Sequence, residues 1–157
     1  RGRARDADPQ SPAEARPRSL YLNSGGRANS LSGDGGLAPR TPAQTGRDRF
    51  VFDPRAAAPA RGGAVCCNPK VFPWGPMDQR PVEQRPDVLV YTSAPLRQDL
   101  EVIGPVRVVL YVSSTARDTD ITAKLVDVFP NGYARNLTDA MMGCDAISPH
   151  TATSRPA

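Results

Sequence analysis

The feature that most constrains the fold of this chain is an Asn131-Gly132 pair between two strand-like stretches. The stretches are 121-ITAKLVDVF-129 and 133-YARNLT-138. A two-residue hairpin turn requires positive φ angles, which asparagine and glycine adopt at lower cost than other residues. The sequence therefore predicts an antiparallel β-hairpin here, and this is the strongest local prediction in the chain.

Several other stretches have strand character and are separated by glycine, proline and asparagine turns. They are 19-SLYLN-23, 49-RFVFD-53, 87-DVLVYTS-93, 100-LEVIG-104 and 106-VRVVLYVSS-114. The last is the clearest, because the residues at 106, 108, 110 and 112 would line one fully apolar face. The sequence has no helical period, so the pattern predicts an all-β fold, either an antiparallel sandwich or a barrel.

Proline and glycine mark the parts of the chain that are expected to lack strands. Of the 17 prolines, 12 fall in the first 86 residues, and long loops are expected at 24–36 and 61–86. Residues 1–18 are rich in arginine and proline without an apolar period, which predicts a disordered arm. The strand pattern stops after Asp139, so residues 140–157 are expected to be a divergent, disordered tail.

The net charge of +4 does not indicate nucleic-acid binding. Residues 1–61 hold 11 arginines against 6 acids, whereas residues 62–157 hold 9 bases against 10 acids, so the excess lies in the irregular part. The arginines are not interleaved with aromatic residues, as a nucleic-acid surface would require. No apolar run approaches the roughly 20 residues that span a bilayer. We therefore expect neither a nucleic-acid partner nor a membrane partner.

Cysteine is sparse in this sequence. Cys66 and Cys67 are adjacent and Cys144 is alone, with no C-x-x-C pair and no metal-ligand spacing. This composition is typical of a reduced, intracellular protein, which predicts a cytoplasmic location. It predicts no metal site and no other cofactor.

Side chains suited to catalysis are also sparse. No G-x-S-x-G nucleophile motif is present, and His150, the one histidine, lies in the polar tail. Asp118 and Asp120 could be paired carboxylates or half of a calcium site. The favoured interpretation is that they bond turn amides before the strand begins. Asn136-Leu137-Thr138 matches the glycosylation sequon, although such triplets are common by chance.

Five segments of the chain resemble a known family. They are 20-LYLNSGGRANSL-31, 49-RFVFDP-54, 78-DQRPVEQRPDVLVYTSAPL-96, 99-DLEVIGPVRVVLYVSS-114 and 118-DTDITAKLVDVFPNGYARNLTD-139. Together they resemble the C-terminal non-catalytic domain of the X-Pro dipeptidyl-peptidase and cocaine-esterase family of serine hydrolases. The resemblance covers residues 19–139 and implies a partial jelly-roll, galactose-binding-like β-sandwich with long loops.

The resemblance also implies a partner and a site. In the family this domain packs against an α/β-hydrolase catalytic domain that carries the Ser, Asp and His triad, so no catalytic residue is expected in this chain. The loop after the Asp-Pro strand approaches the acyl-binding side of the family's active site, and it corresponds to residues 62–78. Val65, Cys66 and Cys67 are the substrate-binding candidates, with burial at the domain junction as the alternative.

Three interpretations follow from these observations. The leading one is an accessory domain of a serine acyl or peptidyl hydrolase that is inactive alone; whether the chain itself is an enzyme stays open. The second is a free-standing jelly-roll module that binds carbohydrate or a partner, with Trp74 and Tyr91 as the contacting aromatics. The third is an unstable fragment from a truncated or frameshifted gene, because the family continues past Asp139 into further strands.

Overall fold

The computed structural model describes residues 15–44, 46–64, 68, 70, 71 and 73–145. In this part of the chain, the regular structure is nearly all strand, which confirms the all-β prediction. The strands are β1 (Tyr21–Asn23), β2 (Gly36–Ala38), β3 (Thr92–Ser93), β4 (Asp118–Val128) and β5 (Ala134–Asp145). A single-turn helix, α1, spans Arg80–Glu83, and a 3-10 turn spans Pro54–Ala56.

The predicted hairpin is present and forms the longest regular element. β4 pairs antiparallel with β5 from Asp118 opposite Asp145 to Val128 opposite Ala134, with one irregularity between Leu125 and Val126. The turn differs from the expected two-residue type. Gly132 has a φ of 80°, whereas Asn131 is not among the described residues with positive φ. The amide of Phe129 donates to the Tyr133 carbonyl at 2.9 Å, so the loop has a glycine in the left-handed region at its third position.

The expected end of the strand pattern at Asp139 is wrong, because β5 continues to Asp145. Antiparallel pairing propagates outward from the turn, and the main-chain ladder depends little on side-chain type. The full length of β4 therefore pairs with positions beyond Asp139. The remainder of the predicted tail, 146–157, and residues 1–14 of the predicted arm lie outside the described residues.

A second, smaller sheet has the order β1-β2-β3. β1 runs antiparallel to β2, and β3 runs parallel to β2. The ladder extends through loop backbone, since the Val90 amide donates to the Ala28 carbonyl at 2.8 Å. Gly35 lies so close to this partner that an added Cβ would overlap the Val90 carbonyl oxygen. Glycine at position 35 thus allows the two backbones to approach, and a stretch predicted as a plain loop takes part in a sheet.

The clearest predicted strand does not form. Residues 94–117, here called the apolar segment, are all described; Leu110 lies in an isolated β-bridge, and none of the residues lies in a strand. Val106 is 50 % exposed and Val109 is 45 % exposed. An alternating pattern specifies which face a strand would bury, but a strand also needs a neighbour for its amides and carbonyls. The predicted strand at 49–53 is likewise absent, and Asp53 caps the 3-10 turn instead.

The buried interior is small and partly polar. Among the described residues the buried apolar side chains are Ala28, Val82 and Ala134, and the buried polar ones are Ser24, Gln79, Glu83 and Asn136. α1 supplies two of these and lies inside the region predicted as a loop; Pro81 in its first turn is compatible with a helix start. No helix in the described part is long and apolar enough to cross a membrane.

Candidate functional site

The loop that the family resemblance places beside an active site has a well-defined base. The Gly63 amide donates to the Gly75 carbonyl at 2.9 Å, and the Gly75 amide donates back to the Gly63 carbonyl at 3.0 Å. This pair of bonds closes the chain into a loop whose tip lies between the two glycines. Gly62, Gly63 and Gly75 have φ angles of 66°, 91° and 84°, a region that disfavours side chains with a Cβ.

The segment that follows Gly75 continues alongside the hairpin. The Gln79 amide donates to the Ala134 carbonyl at 2.7 Å, and Asp78 forms an isolated antiparallel bridge with Arg135. The Met77 amide donates to the Asn136 Oδ1 at 2.7 Å. Residues 77–79 therefore run alongside the first residues of β5 as a short additional edge.

One buried side chain connects the loop base to both strands of the hairpin. The Gln79 Nε2 donates to the Arg61 carbonyl at 2.8 Å, to the Met77 carbonyl at 3.0 Å and to the Asn136 Oδ1 at 3.1 Å. Its Oε1 accepts from the Lys124 Nζ at 2.9 Å. We call Arg61, Gln79, Lys124 and Asn136 the loop clamp. These bonds fix the position of the loop base relative to the hairpin.

Charges around the clamp are perturbed by burial. Desolvation lowers the pKa of Lys124, although the nearby carboxylates of Asp139 and Glu83 oppose that shift. Desolvation raises the pKa of Glu83, and the negative charge of Asp78 adds to it while Lys124 opposes it. The Glu83 Oε2 is buried and has no hydrogen-bond partner among the described residues. The ionised form of Glu83 therefore destabilises this region of the fold.

Asp78 and Arg80 form an ion pair at the edge of the clamp. The Arg80 Nη2 lies 2.6 Å from the Asp78 Oδ2. Hydrogen bonding from Arg80 outweighs desolvation and holds the pKa of Asp78 at about 2. The Ala134 amide also donates to the Asp78 Oδ1 at 3.3 Å. Asp78 therefore joins the start of α1 to the start of β5. Both of its carboxylate oxygens already accept hydrogen bonds within the chain, which is not typical of a general base.

The residues predicted as substrate contacts differ in whether the structure describes them and in how exposed they are. Val65, Cys66 and Cys67 lie outside the described residues. Trp74 directly precedes the Gly63–Gly75 bridge and is 50 % exposed. Tyr91, the other suspected aromatic, is half-buried, and its hydroxyl donates to the Asp48 Oδ2 at 2.7 Å. Of the two aromatics, only Trp74 therefore presents half its surface to solvent.

Asp48 organises a second polar cluster, in the smaller sheet. Its carboxylate accepts from the Ser24 Oγ at 2.6 Å and from the Ala28 amide at 2.8 Å, in addition to Tyr91. Burial raises the pKa of Asp48, but these hydrogen bonds outweigh it and the pKa is lowered. Burial and the bond to Asp48 raise the pKa of Tyr91. All the groups are mutually satisfied, which is typical of a structural cross-link rather than a reactive site.

The structure also bears on the acidic pair and on the glycosylation sequon. Asp118 and Asp120 lie within β4 on its exposed side, so the interpretation that they bond turn amides before the strand is wrong. No group of three or more His, Cys, Asp or Glu suited to a metal ion occurs among the described residues. Asn136 of the glycosylation sequon is 3 % exposed and its Oδ1 is held by Met77 and Gln79. His150 lies outside the described residues.

Sequence reasoning missed the loop clamp. Gln79 lies in a proline-rich stretch, and its side-chain partners Arg61, Lys124 and Asn136 are 18, 45 and 57 residues away. No local period connects such positions. The one available signal is that Lys124 interrupts the largely apolar stretch 121-ITAKLVDVF-129.

Comparison with known proteins agrees with the resemblance. The chain is 42 % identical over 123 residues to the cocaine esterase of Rhodococcus sp. strain MB1 Bresler, which covers 78 % of this chain and 21 % of that protein. It is 34 % identical over 122 residues to a predicted serine esterase of Mycobacterium bovis, covering 71 % of this chain and 18 % of that protein. The chain therefore spans about a fifth of the length of these relatives.

The family model that describes the X-Pro dipeptidyl-peptidase C-terminal non-catalytic domain matches residues 3–151, nearly the whole sequence. This match accounts for the all-β fold. It also agrees with the absence of a nucleophile motif from the sequence, since a non-catalytic domain has a catalytic domain as its partner in the full-length protein. The chain belongs to the X-Pro dipeptidyl-peptidase C-terminal non-catalytic domain family, an accessory domain of serine hydrolases.

Proposed function

We propose that this chain is the acyl-facing accessory domain of a serine ester hydrolase. It packs against an α/β-hydrolase-type catalytic domain that supplies the nucleophile, and it contributes the loop at 62–78 to the acyl side of the substrate pocket. The observation that carries the proposal is the construction of the loop base. A reciprocal glycine bridge closes the loop, and a buried polar clamp fixes it to the hairpin.

Ester rather than X-Pro peptide hydrolysis is favoured by the relatives. The proteins at 42 % and 34 % identity are named as esterases. Val65, Cys66 and Cys67, which follow the Gly63 bridge in the sequence, are the proposed acyl contacts. Such small apolar side chains would shape a pocket by volume, and a hydrophobic pocket discriminates acyl groups by about 1–3 kcal/mol per methylene.

The chemical role of the domain is to bind and to exclude water. Acyl transfer needs a nucleophile, a base and an oxyanion hole, and these come from the catalytic domain in this proposal. The accessory loop covers the acyl group and helps to orient the ester carbonyl toward the nucleophile. Such positioning contributes to the rate without any proton transfer by this chain.

The test uses the full-length enzyme carrying the triple variant Val65→Ala, Cys66→Ala, Cys67→Ala. Acetyl esters and esters of bulky aromatic acids are compared by kcat/KM. We expect a loss of about tenfold for the bulky acyl esters and a change of less than about twofold for acetyl esters. Leu31→Ala, an exposed residue of the smaller sheet region, is the control and should change neither value. Equal losses for both esters, or no loss for either, would contradict the proposal.

A further inference from the structure

We infer that Gln79 is a positioning residue for the substrate-facing loop, acting through the loop clamp. The inference rests on the proposed function, because it assumes that the loop at 62–78 faces the acyl group. It adds the residue that sets the position of the loop. Gln79 lies in neither the loop at 62–78 nor the hairpin, and it is not among the site candidates that the sequence suggested.

The position of Gln79 between four segments carries the inference. Its side chain is 1 % exposed and is the largest fully buried side chain in the described residues. It bonds Arg61 in the segment that enters the loop and Met77 in the segment that leaves it. It also bonds Lys124 of β4 and Asn136 of β5. A shift of either side of the loop base relative to the hairpin would break bonds to this one amide.

The chemistry of a primary amide explains why glutamine is required. The clamp needs a donor toward the Arg61 and Met77 carbonyls and an acceptor toward Lys124. A carboxylate of the same length offers only acceptors, so it would meet two carbonyl oxygens without a proton between them. An aliphatic side chain would remove the acceptor at 2.9 Å from the half-buried Lys124 ammonium. It would leave the Arg61 and Met77 carbonyls with only the longer bonds of 3.4 Å, from the Lys124 Nζ and the Asn136 amide.

The hydrogen bonds between Gly63 and Gly75 connect the position of Gln79 to the position of the loop. An added Cβ on Gly62 would overlap the Gly75 carbonyl oxygen, and one on Gly63 would overlap the Asp139 carboxylate. The two sides of the loop base are therefore in close contact with each other and with β5. Because Gly62 and Gly63 have so little free space around them, a displacement at Gln79 would be passed to the Gly63–Gly75 bridge.

The first measurement uses the chain itself and its single tryptophan, Trp74, beside the bridge. Collisional quenching of Trp74 by acrylamide is compared between wild type, Gln79→Leu and Gln79→Glu. We expect faster quenching in both variants while the far-UV strand signal is retained. Gln84→Leu, an exposed glutamine at the end of α1, is the matched control and should quench like wild type. Lys124→Met removes the bond to the Gln79 Oε1 and the longer bond to the Arg61 carbonyl but keeps the Gln79 Nε2 bonds, so it provides a milder variant if Gln79→Leu does not fold.

The second measurement uses the full-length enzyme and separates KM from kcat. Gln79→Leu and Gln79→Glu should raise KM for bulky acyl esters about tenfold and leave kcat for acetyl esters unchanged. If the triple loop variant changes acyl preference and the Gln79 variants do not, the positioning role is overturned and the proposed function stands. If the triple variant has no effect, the proposed function fails. Unchanged Trp74 quenching in folded Gln79 variants overturns the positioning role in either case.

Discussion

The hairpin with its loop clamp and the apolar segment at 94–117 have similar hydrophobic content but very different structures. β4 and β5 pair through 11 and 12 residues respectively, and the clamp adds side-chain bonds across 18 to 57 residues of sequence. The apolar segment has strand-forming residues but forms no strand, and several of its valines are about half exposed. The difference is that one region contains its own pairing partner and the other does not.

The comparison shows that buried polar side chains can fix the position of a segment more specifically than apolar side chains do. An alternating apolar pattern fixes a face, but any complementary apolar surface can cover it. Each bond of the clamp joins a particular donor to a particular acceptor, and breaking one of them weakens the hydrogen bonding of a buried polar group. The loop base is therefore the most specifically positioned part of the described chain, and it carries the loop that is proposed to contact the acyl group.

The largest expected effect is at the clamp. Asn136→Ala removes the side-chain acceptor of the Met77 amide and one of the three acceptors of the Gln79 Nε2, at a position that is 3 % exposed. We expect a loss of about 2–3 kcal/mol in the free energy of unfolding, measured by urea denaturation. Asn68→Ala, at an exposed loop residue, should change the value by less than about 0.5 kcal/mol. Equal effects of the two substitutions would remove the distinction between the clamp and the loop surface.

A smaller effect is expected at the glycine bridge, where two positions with similar φ differ in their surroundings. Gly63→Ala would place a Cβ against the Asp139 carboxylate, whereas Gly75 has open space around the Cβ position. We expect Gly63→Ala to cost about 2 kcal/mol and Gly75→Ala about 1 kcal/mol, the latter from backbone strain alone. Thermal unfolding of both variants measures the difference. A larger loss for Gly75→Ala would mean that Gly63 and Asp139 do not lie in contact.

The third effect depends on pH and concerns the buried carboxylate beside the clamp. Burial raises the pKa of Glu83 in the fold above the ordinary glutamate value of 4.5, and the charge of Asp78 adds to the shift. Its ionisation therefore destabilises the native state as pH rises through 4.5 toward the folded pKa, and the penalty persists at neutral pH. Glu83→Gln should raise the free energy of unfolding at pH 7 by about 1 kcal/mol or less.

Below pH 4 the same substitution should have almost no effect, because Glu83 is then protonated in both states. Urea denaturation at pH 3.5 and pH 7 tests this. Asp87, whose pKa is lowered chiefly by the hydrogen bond from Arg85, is the control with the opposite sign. Asp87→Asn should lower stability at pH 7. A stabilisation by Glu83→Gln that is equal at both pH values would contradict the electrostatic explanation.

The smallest effect is expected in the apolar segment. Val106→Thr and Val108→Thr replace exposed apolar groups, so each should change the free energy of unfolding of the isolated chain by less than about 0.5 kcal/mol. In contrast, Val82 is 8 % exposed, and Val82→Ala should cost on the order of 1–2 kcal/mol. A large loss at Val108 would show that the segment is packed in solution and would erase the contrast between the two regions.

The hairpin was predictable because its information is local: a turn with glycine lies between two strand-like stretches. Its turn type was not, because Pro130 before Asn131 favours a longer turn with a single left-handed residue. The strand at 106–114 was predicted and is absent, since pairing depends on other parts of a sheet and not on the strand itself. The clamp was not predictable, because Gln79 gains its role only from partners that are remote in sequence.

We propose above all that the domain is non-catalytic and contributes to ester hydrolysis only through a catalytic partner domain. The most direct measurement compares hydrolysis of an activated ester by the purified chain and by the full-length enzyme, each with and without a serine-directed inhibitor. We predict no inhibitor-sensitive turnover by the chain alone and inhibitor-sensitive turnover by the full-length enzyme. Inhibitor-sensitive turnover by the chain alone would contradict the account.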